Sequence, residues 1–210
     1  MTEPLVRRAI LFIDGQSLFY AAKEAFGYTY PNYDPRKLGE HICQQRGWQL
    51  AEVRFYTGVP DAQDNPIWNH FWMAKLAQMG RLGVTTFSRP LRYRNETVTL
   101  PNGTKYTHLV GQEKGIDIRI ALDLVRLAHE GAYDVCIVAS QDQDLTEAVE
   151  EVKRIARERR CWIRVASAFP SSPTSRNRRG IDKTDWVKID RQAYDRCLDP
   201  RDYRPKPVVP

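Results

Sequence analysis

The chain has 210 residues, 42% of them apolar, which is enough for one α/β domain with at most a small appendage and excludes a fully disordered polymer. Thirty-two Lys and Arg against 26 Asp and Glu leave a formal charge of +6, which favours a phosphate-bearing partner and is equally compatible with solubility alone. No run approaches the roughly 18 uncharged apolar residues that cross a bilayer, and Met1 to Arg8 has no apolar core ahead of a cleavage site, so a cytoplasmic protein without membrane contact is expected.

Arg8 to Ile13 is a nearly continuous apolar run that ends at Asp14-Gly15, the pattern of a strand buried on both faces. Ala51 to Thr57 and Gly83 to Phe87 are two further strand candidates, separated by a helical stretch from Asn65 to Met79 that closes with Gly80. Asn102-Gly103 lies between the β-prone stretches Thr97 to Leu100 and Lys105 to Leu109, so residues 89–109 are expected to form a hairpin flap. From Gly115 to His129, Ile116, Ile120, Leu124 and Leu127 recur at helical spacing while Ile118, Ala121, Leu122 and Val125 widen the stripe, which predicts a mostly buried helix. Val135 to Ala139 reads as a buried strand, Thr146 to Glu158 as a helix, and Cys161 to Ala166 as a last strand. Strands alternating with helices imply a mainly parallel sheet covered on both faces.

Pro170 to Gly180 carries Arg176, Arg178 and Arg179 with little apolar content and reads as a mobile basic loop. Residues 1–199 are expected to be a single domain, and Pro200 to Pro210, with four prolines, a tail without fixed structure. Cys43, Cys136, Cys161 and Cys197 form no C-x-x-C pair, so no zinc or disulfide framework is expected, and Cys136 and Cys161, in strand-like apolar runs, read as small buried hydrophobes.

The aspartates are the informative feature. Asp14 ends the first strand, Asp142 and Asp144 follow the strand at Val135 to Ala139, and Asp117 opens the helix before that strand. Ligands of open parallel sheets bind beyond the carboxyl ends of the strands, so these acids converge if the two strands are neighbours. Two carboxylates about 4 Å apart repel by roughly 4 kcal/mol at an effective dielectric of about 20. A cation between them is therefore expected, and hard oxygen ligands suit Mg²⁺ or Mn²⁺. Each acid also has a local explanation: Asp144, three before Glu147, would cap a helix, Asp117 would complement a helix dipole, and Asp14 and Asp142 suit turns.

Phe12-Ile-Asp-Gly-Gln-Ser-Leu18, Lys114-Gly-Ile-Asp-Ile118 and Val138-Ala-Ser-Gln-Asp-Gln-Asp-Leu145 resemble the three signature segments of NYN domains, which belong to the PIN-like nucleases. Arg179-Gly-Ile-Asp-Lys-Thr-Asp-Trp186 is similar to a further segment of one bacterial branch. The resemblance implies a Rossmann-like three-layer α/β/α sandwich whose acids bind Mg²⁺ or Mn²⁺ and cut single-stranded or structured RNA. Carried over by position, Asp14, Asp117 and Asp142 match the main metal-binding acids and Asp144 the accessory one. Ser17 stands where the family usually has Asn, and Gln141 where Gly is common.

Ser17, Ser140 and Lys114 are expected at the substrate, with Arg176, Arg178 and Arg179 gripping its backbone electrostatically. Arg89, Arg92, Arg94 and Tyr93 of the flap are further candidates, Tyr93 as a stacking surface. Trp68, Phe71, Trp72, Leu76 and Met79 share helical spacing and read as core, and an exposed Trp68/Trp72 face would point to a homo-oligomer. Two other functions remain open: an RNA-binding or partner-recruiting module on the same fold, and a Mg²⁺-dependent hydrolase of small phosphates. Against the latter, no glycine-rich G-x-x-x-x-G-K loop is present.

Overall fold

The computed structural model describes residues 2–205. Six parallel strands, β1 (Arg8–Asp14), β2 (Gln49–Val59), β3 (Thr85–Pro90), β6 (Val135–Ala139), β7 (Arg164–Pro170) and β8 (Asp185–Ile189), form one sheet in the order β3-β2-β1-β6-β7-β8. The order reverses at β1, which lies between β2 and β6. Alternate residues of β1 serve opposite faces: Ala9, Leu11 and Ile13 join a core with α1 (Gly15–Phe26), α2 (Pro35–Arg46), α3 (Pro66–Arg81) and α6 (Arg191–Arg196). Ile10 and Phe12 join the other core, with α4 (Ile116–His129) and α5 (Thr146–Glu158). Both faces being covered, the strand is apolar throughout, as its sequence requires. Removing the Phe12 side chain from this packing costs about 3–5 kcal/mol.

Strands β4 (Arg92–Thr99) and β5 (Lys105–Gln112) pair antiparallel as a hairpin flap over 92–112 rather than 89–109, since Arg89 and Pro90 pair with β2 as the end of β3. The turn closes as its sequence dictates: Thr104 N donates to Asn102 Oδ1 at 3.0 Å, and Gly103 takes φ +82°. The flap is longer than the β-prone stretches alone, because β4 begins two residues after β3 ends.

Four further expectations need correction. The last strong strand starts at Arg164 rather than Cys161, since Cys161 to Ile163 span the crossover from α5 to the level at which β7 pairs with β6. α4 is not mostly buried: Ile118 and Leu122 are exposed, because only the stripe of Ile116, Ile120, Leu124 and Leu127 faces the sheet. α3 runs through Gly80 to Arg81, and α1, α2, β8 and α6 complete the chain. Of the segment from Pro200, residues 201–205 hold no helix or strand, but they are seated on the domain. Tyr203 donates to Asp199 Oδ2 at 2.7 Å and meets Phe71 edge-on, and residues 206–210 lie outside the described residues.

Phe71, Trp72, Leu76 and Met79 are core, and Trp68 is half-buried, so α3 presents no open tryptophan face. Cys43, Cys136 and Cys197 are buried free thiols, and burial pushes Cys136 up to about 12. On α5, Arg154 pairs with Glu151 and Glu158 at 2.5 and 2.6 Å, while Glu150 pairs with Lys183 instead of Arg154. It is a solvated, ion-paired face.

Candidate functional site

The pairing of β1 with β6 brings the acids together. Ile13 lies opposite Ala139, so the residues just beyond, Asp14 on one side and Ser140 to Asp142 on the other, leave the sheet at the same level. Asp14 has extended backbone and caps α1, accepting from Ser17 N at 2.9 Å. Asp142 caps the single 3₁₀ turn Gln143–Leu145, accepting from Asp144 N at 3.0 Å. Asp117 stands in the first turn of α4, where no side chain caps the helix. Asp14, Asp117 and Asp142 line one cleft of about 410 Å³ together with Glu113 and Lys114.

Glu113 is the residue that motif reading missed. It sits between the last strand of the flap and α4, and its carboxylate accepts from Gly58 N and, at 3.4 Å, from the Thr57 hydroxyl. A side chain on Gly58 would displace it, since an added Cβ would come within 2.6 Å of Glu113 Cγ and 2.4 Å of Leu91 Cδ2. The usable signal is topological: a hairpin that leaves from the end of β3 must return near the end of the same sheet, so an acid at its second foot faces the cleft.

The electrostatics record an excess of negative charge. Asp14 is only 8% exposed. Its burial, with the Asp142 charge added, raises its carboxyl to about 6 despite hydrogen bonds from Ser17 N and Gln16 N. Burial, and then the charges of Asp14 and Asp117, raise Glu113 to about 7 against the opposing bonds from Gly58 and Thr57. Lys114 is exposed at the cleft edge.

Ser17 and Ser140 bind each other, Ser140 Oγ lying 3.1 Å from Ser17 Oγ. Ser17 Oγ also accepts from Gln141 N at 3.3 Å, and Asp142 N donates to Ser140 Oγ at 3.1 Å. The two hydroxyls thus staple the β6 loop to α1. Asp144 is exposed and caps no helix, α5 starting after Leu145 without a side-chain cap; it lies outside the cleft. Its capping expectation passes to Asp142.

The structure does not bring the loop arginines to the acids. Arg178 Nε donates to Ser175 O at 3.0 Å, Arg179 pairs with Asp182 at 3.0 Å, and the Arg176 backbone N–H binds Glu24. Gln141, at the position where a glycine was the family norm, donates through Nε2 to Arg179 O at 2.8 Å and Asn177 O at 3.3 Å. Gln143 adds a bond to Gly180 O at 3.0 Å. The basic loop is held by the site loop rather than free of it. In the flap, Tyr93 Oη accepts from Asp61 N at 2.9 Å, tying the flap to the segment before α3. Arg89 lies over the Phe87 ring and against Gly115, which has φ +73° and no room for a Cβ beside the guanidinium.

Among the described residues no three Asp, Glu, His or Cys side chains stand close enough to hold a metal ion as they are. The donor set still fits Mg²⁺ or Mn²⁺: hard oxygens, net negative, lining one cleft. Mg²⁺ keeps several of its waters and needs only one or two direct carboxylates.

The NYN domain model matches residues 8–181, spanning all of these acids. The chain belongs to the NYN domain family. A relative, the Low amplitude and bright protein LabA of Synechococcus elongatus, is 28% identical over 144 residues, 68% of this chain and 66% of that protein, just under two thirds of its length. A crystal structure of a protein of unknown function from Vibrio parahaemolyticus superposes with a TM-score of 0.53 at 18% identity, covering 94% of this chain and 99% of that one. That likeness supports the α/β fold alone. Among the described residues no helix is long and apolar enough to cross a membrane.

Proposed function

We propose that this NYN domain hydrolyses RNA phosphodiester bonds with a divalent cation at the cleft. The observation that carries the reading is the convergence of Asp14, Asp117 and Asp142, from three separate segments, at the carboxyl end of the β1/β6 pair. One or two of these three carboxylates would hold Mg²⁺ or Mn²⁺ directly and the others through its waters, as would Asp144, exposed beside Asp142. When bound, the cation neutralises charge on the phosphate and makes a water more acidic. Lys114 at the cleft edge would draw in the phosphate as a mobile point charge, and Glu113 adds a fourth carboxylate to the same recess. Water adds across one P–O bond, leaving a phosphate monoester on one fragment and a hydroxyl on the other.

A second reading keeps the fold as a non-catalytic RNA-binding or partner-recruiting module. The observation in its favour is that no ligating group of three side chains is preformed among the described residues. One assay separates the two: purified wild type and a folded Asp14→Asn/Asp142→Asn variant are incubated with labelled single-stranded RNA, structured RNA and DNA, with Mn²⁺ or EDTA. Manganese-dependent RNA cleavage in the wild type is expected, lost by about 10²–10⁴-fold in the variant, since a metal centre is worth several kcal/mol. RNA binding without cleavage, unchanged by the substitutions, would sink the nuclease reading and select the module.

A further inference from the structure

Gln16 on α1 stands where three recesses meet. It lines the acid cleft, a polar recess toward Gln141 and Asn177, and a third recess of about 300 Å³ between α1, α3 and the foot of the flap. Glu113 also lines both the third recess and the acid cleft, so the two adjoin.

The third recess is walled by aromatic rings, Phe19 and Tyr20 from α1 and Trp68 and Trp72 from α3, with Lys23 exposed at its rim. Trp72 is held by the core and Trp68 by an edge-on contact with Phe71 at 5.2 Å between ring centroids, so both indoles are braced. Tyr20 is 55% exposed, its ring 5.5 Å from that of Phe19. An exposed aromatic next to braced rings offers π-faces at low ordering cost, and every nucleobase has a π-face. The neighbouring positive charge of Lys23 suits the backbone that such a base would carry. A base locked in a duplex would first have to be unpaired and unstacked, at a cost of a few kcal/mol.

We propose that this recess holds one unstacked base of a single-stranded RNA, next to the phosphate that lies at the acid cleft, with Tyr20 and Trp68 as stacking surfaces and Lys23 on the adjoining backbone. The inference rests on the ribonuclease reading and names its substrate as single-stranded rather than paired. It assigns a use to Trp68, which core packing leaves half-buried.

The test is a binding measurement that needs no cleavage. A fluorescently labelled eight-nucleotide RNA, the same RNA annealed to its complement, and a set with one abasic position each are titrated onto the Asp14→Asn/Asp142→Asn protein. Tyr20→Ala and Trp68→Phe are then added singly on that background, with thermal melting as the folding control; Tyr20, being exposed, is the safer truncation. Expected are weaker binding of the duplex, one abasic position that weakens binding by roughly ten- to hundredfold, the range for one lost base stack, and disappearance of that position's effect in Tyr20→Ala. Quenching of tryptophan emission by the intact RNA is expected to shrink in Trp68→Phe. Equal binding of duplex and single strand, an abasic scan with no sensitive position, or variants identical to their parent would each overturn the proposal. Metal-dependent cleavage by the wild type alongside any of those results would leave the nuclease reading standing and remove only the base recess; absent cleavage with an intact abasic signature would do the reverse.

Discussion

The acid cleft and the basic loop 171–180 carry opposite charges and are held in opposite ways. Asp14, Asp117 and Asp142 hang from the ends of β1, α4 and β6, whose positions follow from core packing, and the carboxyls of Asp14 and of neighbouring Glu113 are raised by burial and by the surrounding acids. Arg178 and Arg179 hang from a loop with no regular structure, and their guanidinium groups bind that loop's own carbonyls and Asp182. Unpaired charge is thus concentrated where the framework is rigid, while the charge on the irregular segment is largely consumed internally. A framework that maintains a repulsive cluster at a cost in stability suits the cation proposed for it; the loop arginines fasten their own loop.

The contrast can be tested first through stability. Asp14 and Glu113 have folded pKa values raised to about 6 and about 7 from 3.8 and 4.5, so between those limits the native state holds more protons than the unfolded chain. The stability they contribute is full below about pH 4 and is lost as pH rises through 6 to 7, by about 3 kcal/mol for Asp14 alone. Metal-free wild type should therefore melt at lower temperature at pH 8 than at pH 5, and Asp14→Asn, which keeps the acceptor for Ser17 N, should recover roughly a third of the difference, the rest belonging to Glu113. An Asp14→Asn protein no more stable than wild type at pH 8 would mean that the cluster is not strained.

A smaller effect is expected from Gly58→Ala. Its added methyl would press on Leu91 and on Glu113, costing about 1–3 kcal/mol as overpacking does and moving Glu113 out of the cleft. Denaturant melts and RNA cleavage should both fall; unchanged cleavage would remove Glu113 from the site.

Smallest is the effect of releasing the loop. Gln141→Gly deletes the bonds to Asn177 O and Arg179 O, a loss of about 1 kcal/mol, and should speed amide hydrogen exchange across 171–180 with little change elsewhere. Arg178→Ala and Arg179→Ala should change RNA cleavage by less than about threefold. A tenfold or larger loss from either would reverse the contrast and return these arginines to the substrate.

Much of this was legible in the sequence, for identifiable reasons. β1 and β6 are buried on both faces and so read as unbroken apolar runs, and acids at the ends of such strands can be placed by topology alone. Asn102-Gly103 announced the flap because a tight hairpin turn demands those residues. α4 was misjudged because Ile118 and Leu122, apolar but exposed, look the same in sequence as residues that face the sheet. The contacts of Ser17, Ser140 and Gln141 could not be read, since they join positions more than 30 or 120 residues apart through side-chain rotamers, and the local contacts of Arg178 and Arg179 depend on the path of a loop without regular structure. Glu113 escaped because its role depends on where the flap returns, which no local pattern encodes.

The most direct measurement of the central claim is Mn²⁺ binding by calorimetry at pH 7.5, in wild type and in Asp14→Asn/Asp142→Asn. Saturable binding in the wild type that is lost in the folded double variant is the predicted result. Absence of binding in the wild type, or equal binding in both proteins, would contradict a divalent-cation site built from these aspartates.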